Sequence, residues 1–251
     1  MKKIIALLLA VCMIAAFAGC AKSDTAATTE APTTEAPTET TEEVTAPVEA
    51  EGDVMSHADY MAAELESPVC IETYVQAHQS WWDNKLTVYA QSEDGAYFIY
   101  EMECSEEDAA KLVPGTKIRV NGYKTEWSGE VEIRDASFEI LEGSYIAPAH
   151  DITGGLGASN LIDWQNEKIA VNDLVFEKLE YKGGEPGDDI YLTFNSDGTS
   201  YDFCVESYLT GPDSEVYTTA GSLVEGDTVD VEGFLYWYNG PNIHITSITV
   251  K

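Results

Sequence analysis

The sequence predicts an all-β protein with short helices, in which two small five-stranded barrels follow one another along the chain. Three observations predict this fold class: segments of strand length in which polar and apolar residues alternate, glycine-containing turns between them, and one internal repeat. The chain has 251 residues, 44% of them hydrophobic, so two domains with a core each are expected.

The first barrel is expected to begin after a short helix that Ser56 caps and Pro68 ends. The alternating segments then predict strands, and a second short helix, capped by Ser105, separates the third strand from the fourth. Gly95 suits the tight turn between the second and third strands, because glycine accepts a positive φ. The predicted strands of this copy cover residues 69–78, 85–91, 96–104, 116–126 and 130–141.

The same order of elements occurs twice. Residues 112–123 (LVPGTKIRVNGY) align without a gap on residues 223–234 (LVEGDTVDVEGF), and residues 127–129 then fall on residues 238–240. Five strands with a helix between the third and the fourth are typical of the OB fold, a Greek-key barrel. We therefore predict two OB-type barrels in tandem. Two strands of the second copy are expected near residues 190–195 and 200–208.

The first 19 residues have the pattern of a secretory signal peptide. Lys2 and Lys3 precede an apolar run over residues 4–17. Residues 17–20 (FAGC) resemble the lipobox of bacterial lipoproteins, in which Cys20 becomes the lipidated first residue. Phenylalanine replaces the usual leucine of that motif, and an ordinary A-x-A cleavage site, which would release a free secreted protein, also fits. We expect an extracytoplasmic protein that is anchored to the cell membrane through Cys20.

The segment after Cys20 consists almost wholly of alanine, threonine, glutamate and proline and has no aromatic residue. Such a composition predicts a disordered spacer. The expected organisation is a lipoprotein signal peptide over residues 1–19, a lipid-anchored linker over 20–53, a first OB-like domain with its N-terminal helix over 54–147, and a second over 148–251. The glycine-rich connection between the domains is short, so we expect the two barrels to touch.

Residues 67–143 resemble the OB-like domains of secreted and lipid-anchored surface proteins of Gram-positive bacteria, including the OB portions of some cell-surface nucleases. The segments PVCIETYVQA, EDGAYFIY, PGTKIRVNGY and SGEVEI carry the resemblance. These segments form turns and core, and none of them is catalytic. The resemblance therefore implies a fold and a tandem-barrel surface lipoprotein, and it leaves the function open.

The chain is strongly acidic, with 13 basic against 45 acidic residues and a formal net charge of −32. Proteins bind nucleic acid largely through lysine and arginine side chains that displace counterions from the phosphates. On this ground we expect nucleic acid to be a poor partner.

Aromatic residues cluster where OB folds usually bind ligands, on the face of strands two and three between the first and last loops. Adjacent residues of a strand point in opposite directions, so one of Trp81 and Trp82 is expected to be structural. An alternative is that the tryptophans close the barrel ends or pack between the barrels. The predicted ligand-binding residues are Trp81, Trp82, Tyr89, Tyr97, Trp127, Tyr236, Trp237 and Tyr238.

No catalytic or metal site is predicted. None of the four histidines lies in a motif, and each is expected on the surface or in a turn. A calcium-dependent nuclease on an OB barrel needs two arginines, and the only two here are Arg119, expected on a solvated face, and Arg134. Residues 185–189 (EPGDD) lack the spacing of a calcium loop and are interpreted as a solvated turn. We therefore predict a protein that is not an enzyme and carries no cofactor.

The cysteines beyond Cys20 are Cys70, Cys104 and Cys204, so at most one disulfide is expected among them. Cys70 and Cys104 are the only candidates within one barrel, and Cys204 is interpreted as a small core residue.

Three functional hypotheses follow. The first is a non-catalytic surface module that binds an extracellular carbohydrate or protein, such as a cell-wall glycan or an envelope protein, through its aromatic loops. The second is a structural or assembly subunit of an envelope complex, in which the tryptophans are buried between the barrels. The third, ranked below both, is a metal-dependent hydrolase or a nucleic-acid binder.

Overall fold

Strand pairing closes two barrels in residues 53–251, the part of the chain that the computed structural model describes. The predicted signal peptide, the lipidation site Cys20 and nearly all of the predicted linker lie outside the described residues. No helix within residues 53–251 is both long enough and apolar enough to span a membrane.

The first barrel has two short helices and five strands. The helices are α1 (His57–Ala62) and α2 (Glu106–Ala109). The strands are β1 (Pro68–His78), β2 (Lys85–Gln91), β3 (Ala96–Glu103), β4 (Thr116–Trp127) and β5 (Glu130–Ser144). They pair in the closed order β1-β2-β3-β5-β4, where β3 and β5 are parallel and β4 returns to β1.

The second barrel repeats this order. Its five barrel strands are β7 (Lys168–Tyr181), β8 (Ile190–Ser196), β9 (Thr199–Val205), β10 (Thr228–Trp237) and β11 (Pro241–Val250). They are accompanied by a two-residue strand β6 (His150–Asp151), a 3-10 helix (Leu161–Trp164), and helices α3 (Ser207–Thr210) and α4 (Glu215–Ser222). Pairing of β10 with both β7 and β11, and of β11 with β9, closes the barrel.

The prediction of an all-β fold with two tandem five-stranded OB-type barrels is therefore confirmed. Two predicted boundaries are wrong by three residues. The strand expected to reach residue 208 ends at Val205, because the chain turns into α3 at Ser207, and the strand expected to end at residue 141 continues to Ser144. The short strand β6, which pairs in parallel with β7, was missed; the first barrel has only an isolated parallel bridge between Met55 and Ile71 of β1.

The internal repeat is visible in the backbone. Gly115 and Gly226, which the alignment places at equivalent positions before β4 and β10, have φ of +93° and +94°. This left-handed conformation is strained for residues with a Cβ, which explains why both copies keep glycine there. The predicted cap of α1 is also present, since the side chain of Ser56 accepts a hydrogen bond from the backbone N–H of Asp59 at 3.2 Å.

Each barrel has its own core, formed by the alternate side chains that point inward. Ile71, Val88 and Ile99 are fully buried in the first, and Leu174 and Phe194 in the second. Complete burial of such a side chain contributes about 1.5 to 3 kcal/mol. Because the same alternation is readable in the sequence, most strands could be predicted from it.

A third apolar cluster joins the two barrels. Tyr89 on β2 stacks on Phe234 of β10 with ring centroids 4.6 Å apart, and Phe98 on β3 meets Tyr236 edge to face at 5.2 Å. Backbone contacts extend this junction, for example from the N–H of Asn239 to the carbonyl of Ser128 at 2.8 Å. The two barrels belong to one compact unit, as the short connection predicted.

The three cysteines of the described residues, Cys70, Cys104 and Cys204, are buried free thiols. Burial raises the pKa of the Cys104 thiol to about 11, and Asp108 adds to the effect, so this side chain is held in its protonated form. The predicted interpretation of Cys204 as a small core residue agrees with its 3% exposure.

Candidate functional site

The face of β2 and β3, where OB folds usually bind ligands, is covered in the first barrel by the second barrel. Tyr89 is completely buried there, and its hydroxyl donates to Oε2 of Glu206 at 2.8 Å and lies 2.6 Å from Nδ1 of His244. Tyr89 therefore contributes to barrel packing. The expectation that the histidines lie on the surface or in turns is wrong for His244, which is 6% exposed because Tyr236 stacks on its ring at 4.2 Å.

Two further residues of the predicted ligand-binding set are built into the first barrel. Tyr97 is 1% exposed and packs edge to face against Tyr60 of α1, with centroids 5.1 Å apart. Trp81 packs against the first core, and its indole N–H donates to the carbonyl of Cys104 at 2.8 Å. Its neighbour Trp82 is 71% exposed, so the pair divides into one structural and one solvent-facing ring, although both lie in the connection between β1 and β2 and not in a strand.

The other predicted residues lie around a cleft of about 890 Å³ between the barrels. Trp127, Tyr236 and Tyr238 line it, and Trp127 and Tyr238 are both more than half exposed. Trp237 lies beside the cleft, packed against the second core, and its backbone N–H donates to Oε2 of Glu130 at 2.8 Å. Three of the eight predicted residues therefore meet in the cleft.

Sequence analysis missed three aromatic residues of the cleft, of which Phe98 is 3% exposed and packs between the barrels. Tyr100 comes from β3 of the first barrel and Tyr191 from β8 of the second. In β8 the neighbours Ile190 and Leu192 are fully buried while Tyr191 is 40% exposed, so the alternation could have placed its ring outward. Which outward ring meets the other barrel depends on the docking of the two barrels, and the alternation carries no information on that.

Some charged residues of the cleft pair with one another, whereas Lys178 and Glu180 form no ion pair within residues 53–251. Arg134 lies 3.7 Å from Glu132 and its guanidinium lies 5.0 Å from the ring centroid of Tyr100. Lys182 pairs with Asp189 at 2.9 Å. Asp189 corrects the interpretation of residues 185–189 as a solvated turn: this carboxylate is 6% exposed and lines the cleft, because Lys182 and the backbone N–H of Ser207 bind it.

Two carboxylates of the cleft have pKa values shifted in opposite directions. Burial raises the pKa of Glu132, and Arg134 offsets this in part. Burial alone would also raise the pKa of Glu206, but the attraction of His244, with hydrogen bonds from His244, Tyr89 and Gln79, outweighs burial and holds this pKa at about 2. Glu206 is thus a charged acceptor at the floor of the cleft.

Asn242 at the start of β11 adds an acceptor that the protein does not satisfy. Its side-chain oxygen is buried and has no hydrogen-bond partner within residues 53–251, and the residue lines the cleft. An unpaired buried amide oxygen costs about 1 to 3 kcal/mol. The cleft therefore combines exposed aromatic faces with polar groups that can bind hydroxyls.

Arg119, which was considered for a nuclease site, does not line the cleft. It lies on β4, where it pairs with Glu72 at 2.7 Å and with Glu139 at 3.2 Å. Among the described side chains no group of three His, Cys, Asp or Glu is arranged to hold a metal ion.

No family model matches the chain, and no curated protein matches it. Solved structures do match. The tetrameric p202 HIN2 is 12% identical, with a TM-score of 0.31 over 75% of this chain and 96% of that one. A replication protein A heterotrimer bound to ssDNA is 10% identical, with a TM-score of 0.33 over 73% of this chain and 49% of that one. A murine DNA binding protein bound with ds DNA is 11% identical, with a TM-score of 0.36 over 72% and 94%.

At these identities the likeness concerns the fold alone. Two of the three structures nevertheless contain DNA, single-stranded in one and double-stranded in the other. The prediction that nucleic acid is a poor partner does not agree with these comparisons, and it rested on net charge alone. A charge summed over the whole chain does not describe one cleft, so this ground for setting nucleic acid aside is withdrawn.

Proposed function

We propose that this protein is a non-catalytic binding protein that holds a carbohydrate in the cleft between its two barrels. The observation that carries the proposal is the composition of the cleft: exposed aromatic rings from both barrels surround polar groups, among them the ion pairs of Glu132 with Arg134 and of Asp189 with Lys182.

The aromatic rings suit the flat, weakly polar faces of sugar rings. Trp127 is 59% exposed, Tyr238 53% and Tyr191 40%. Burial of a large aromatic ring is favourable, so a ligand that stacks on these rings is bound more tightly. OB folds are known to bind oligosaccharides as well as oligonucleotides at such surfaces.

The polar groups suit hydroxyls. Glu132 pairs with Arg134 and accepts from Thr125, so part of its about four acceptor sites stays free. Asp189 pairs with Lys182 and accepts two hydrogen bonds from Ser207, which leaves about one of its sites free. A neutral polyol can use these positions without breaking an ion pair.

The N-terminal pattern supports the choice of carbohydrate. A signal peptide, a lipidated Cys20 and a long acidic linker would place the barrels outside the cytoplasmic membrane, next to the cell-wall glycan. We therefore include membrane anchoring and a cell-wall glycan in the proposal.

Isothermal titration of the purified protein with soluble fragments of cell-wall glycan tests the proposal. Binding is expected, and Trp127→Ala is expected to weaken it at least tenfold, which equals about 1.4 kcal/mol. Val224→Ala is the matched control, because Val224 is 65% exposed and does not line the cleft. It should bind like the native protein.

The same titration with a single-stranded DNA oligonucleotide tests nucleic acid as a partner, since two of the compared structures contain DNA. Binding of DNA without binding of glycan would overturn the proposal in favour of a nucleic-acid binder. Equal affinity of Trp127→Ala and the native protein for glycan would also contradict it, since the cleft would then not be the site.

A further inference from the structure

We infer that the cleft is the middle of a longer groove, in which Trp82 and Tyr208 form a distal subsite for the same linear ligand. This inference rests on the proposed function and adds to it that the ligand is a chain of several sugar units.

The distal subsite is a cavity of about 260 Å³ that adjoins the cleft. It shares the lining residues Gln79 and Tyr100 with the cleft, so the two spaces lie side by side. Its outer wall consists of Trp82 from the first barrel and Tyr208 from the second. These are among the more exposed aromatic side chains of the described residues, at 71% and 58%.

Both rings stand on fixed backbone. Trp82 and Lys85 exchange both backbone hydrogen bonds around Asp83 and Asn84, at 3.1 and 2.9 Å. Asp83 and Asn84 have φ of +49° and +59°, the conformation of a tight two-residue hairpin turn. Tyr208 is joined to the same region, because its carbonyl accepts the backbone N–H of Ser80 at 2.6 Å. The two walls of the subsite are therefore held together before any ligand arrives.

A third space adjoins the cleft. This cavity of about 470 Å³ shares Trp127, Glu132 and Arg134 with the cleft and adds Tyr123, which is 44% exposed. Aromatic rings line all three spaces. A compact ligand would need only the central space, whereas a linear oligosaccharide can place successive units along all three.

The test is a titration of the purified protein with β-1,4-linked N-acetylglucosamine oligomers of two to eight units. Affinity is expected to rise with length until the groove is filled. Trp82→Ala should weaken binding of the longest oligomer about tenfold and leave the dimer unchanged, whereas Trp127→Ala should weaken both. Because Trp82 is exposed, its variant is expected to keep the native melting temperature, and Tyr208→Ala provides a second variant of the same subsite.

The outcomes separate this inference from the proposed function. The longer groove is contradicted if oligomers of every length bind with equal affinity, or if Trp82→Ala and Tyr208→Ala do not change the affinity for the longest oligomer. The proposed central site is not contradicted by either result. If no oligomer binds, the carbohydrate proposal itself fails and the inference fails with it. Length-dependent binding of oligothymidine in place of the sugars would assign the groove to single-stranded nucleic acid and would overturn the oligosaccharide inference.

Discussion

At the scale of single residues, two buried glutamates at the junction of the barrels respond to pH in opposite ways. Glu130 is completely buried; one oxygen accepts the backbone N–H of Trp237, and the other has no partner in the described structure. Burial raises its pKa to about 9, and the nearby Glu132 adds to the effect. Glu206 has a pKa of about 2, because the attraction of His244 and the hydrogen bonds it accepts outweigh burial.

Glu130→Gln is predicted to stabilise the protein at neutral and alkaline pH. The carboxyl binds its proton more tightly in the folded than in the unfolded state, whose pKa is near 4.5, so its contribution to stability is full below that pH and is lost as the pH rises towards 9. Glutamine resembles the protonated form and does not titrate. Urea unfolding at pH 8 should show a gain of about 1 to 3 kcal/mol.

At pH 4 the Glu130→Gln variant and the native protein should be equally stable. Glu142→Gln serves as the control, because Glu142 is an exposed residue of the same strand, β5, and should change stability at neither pH. A Glu130→Gln variant that is less stable than the native protein at pH 8 would show that the buried carboxyl is charged.

Glu206→Gln is predicted to destabilise the protein at pH 7. The depressed pKa means that Glu206 contributes stability above about pH 4.5, and that this contribution is lost as the pH falls towards 2. Removal of one partner from a buried charged network costs about 3 kcal/mol. The loss, measured by urea unfolding, should be large at pH 7 and should shrink on acidification; a loss that is constant with pH would mean that the charge of Glu206 plays no part.

At the scale of elements, the turn between β4 and β5 determines how the barrels meet. Ser128 and Gly129 both have positive φ, of +54° and +93°. The ring of Trp237 from β10 lies directly against Gly129: a Cβ at this position would be 2.7 Å from Cδ1 of the indole. Gln165 completes the contact, since its amide donates to the carbonyl of Gly129 at 2.7 Å. The turn of one barrel is therefore packed onto a strand of the other.

Gly129→Ala is predicted to destabilise the protein more than a glycine substitution that carries backbone strain alone. Gly184→Ala is the matched control, since Gly184 has φ of +80° and open space around its Cβ position. The control should cost about 1 kcal/mol through its backbone, and Gly129→Ala at least about twice that because Trp237 must also move. Equal losses in thermal unfolding would show that Trp237 yields without cost.

At the scale of the whole molecule, the barrels share an apolar cluster that neither could bury alone. Tyr89 and Phe98 of the first barrel and Phe234 of the second are each at most 3% exposed, and they form one cluster. The outward face of β2 and β3 is thus used for packing between the barrels. Of the tryptophans, Trp237 lies at this junction with its ring against Gly129, whereas Trp82 and Trp127 stay exposed.

The native protein is predicted to unfold in a single calorimetric transition, because separation of the barrels would expose the shared cluster. Phe234→Ala should cost about 3 kcal/mol, the usual loss for a buried phenylalanine, and should split the transition into two. Val224→Ala, an exposed control in the same barrel, should leave one transition. Two transitions in the native protein would mean that the junction is too weak to couple the barrels.

The sequence by itself determined the elements and their doubling. Strands follow from alternation, turns from glycine, and helix starts from serine caps, and all of these are local properties of neighbouring residues. Gly115 and Gly226 illustrate this well, because the alignment paired them and the backbone gives them nearly the same φ. The fold class could be predicted for this reason.

Only the tertiary structure decided which aromatic residues line the cleft between the barrels. Alternation correctly separates Tyr89 from the core residues Val88 and Ala90, but it does not reveal that Phe234 covers Tyr89. Tyr100 and Tyr191 come together from different barrels in the same cleft. Such contacts depend on how two closed barrels dock, a property of side chains distant in sequence, and no pattern within either copy contains it.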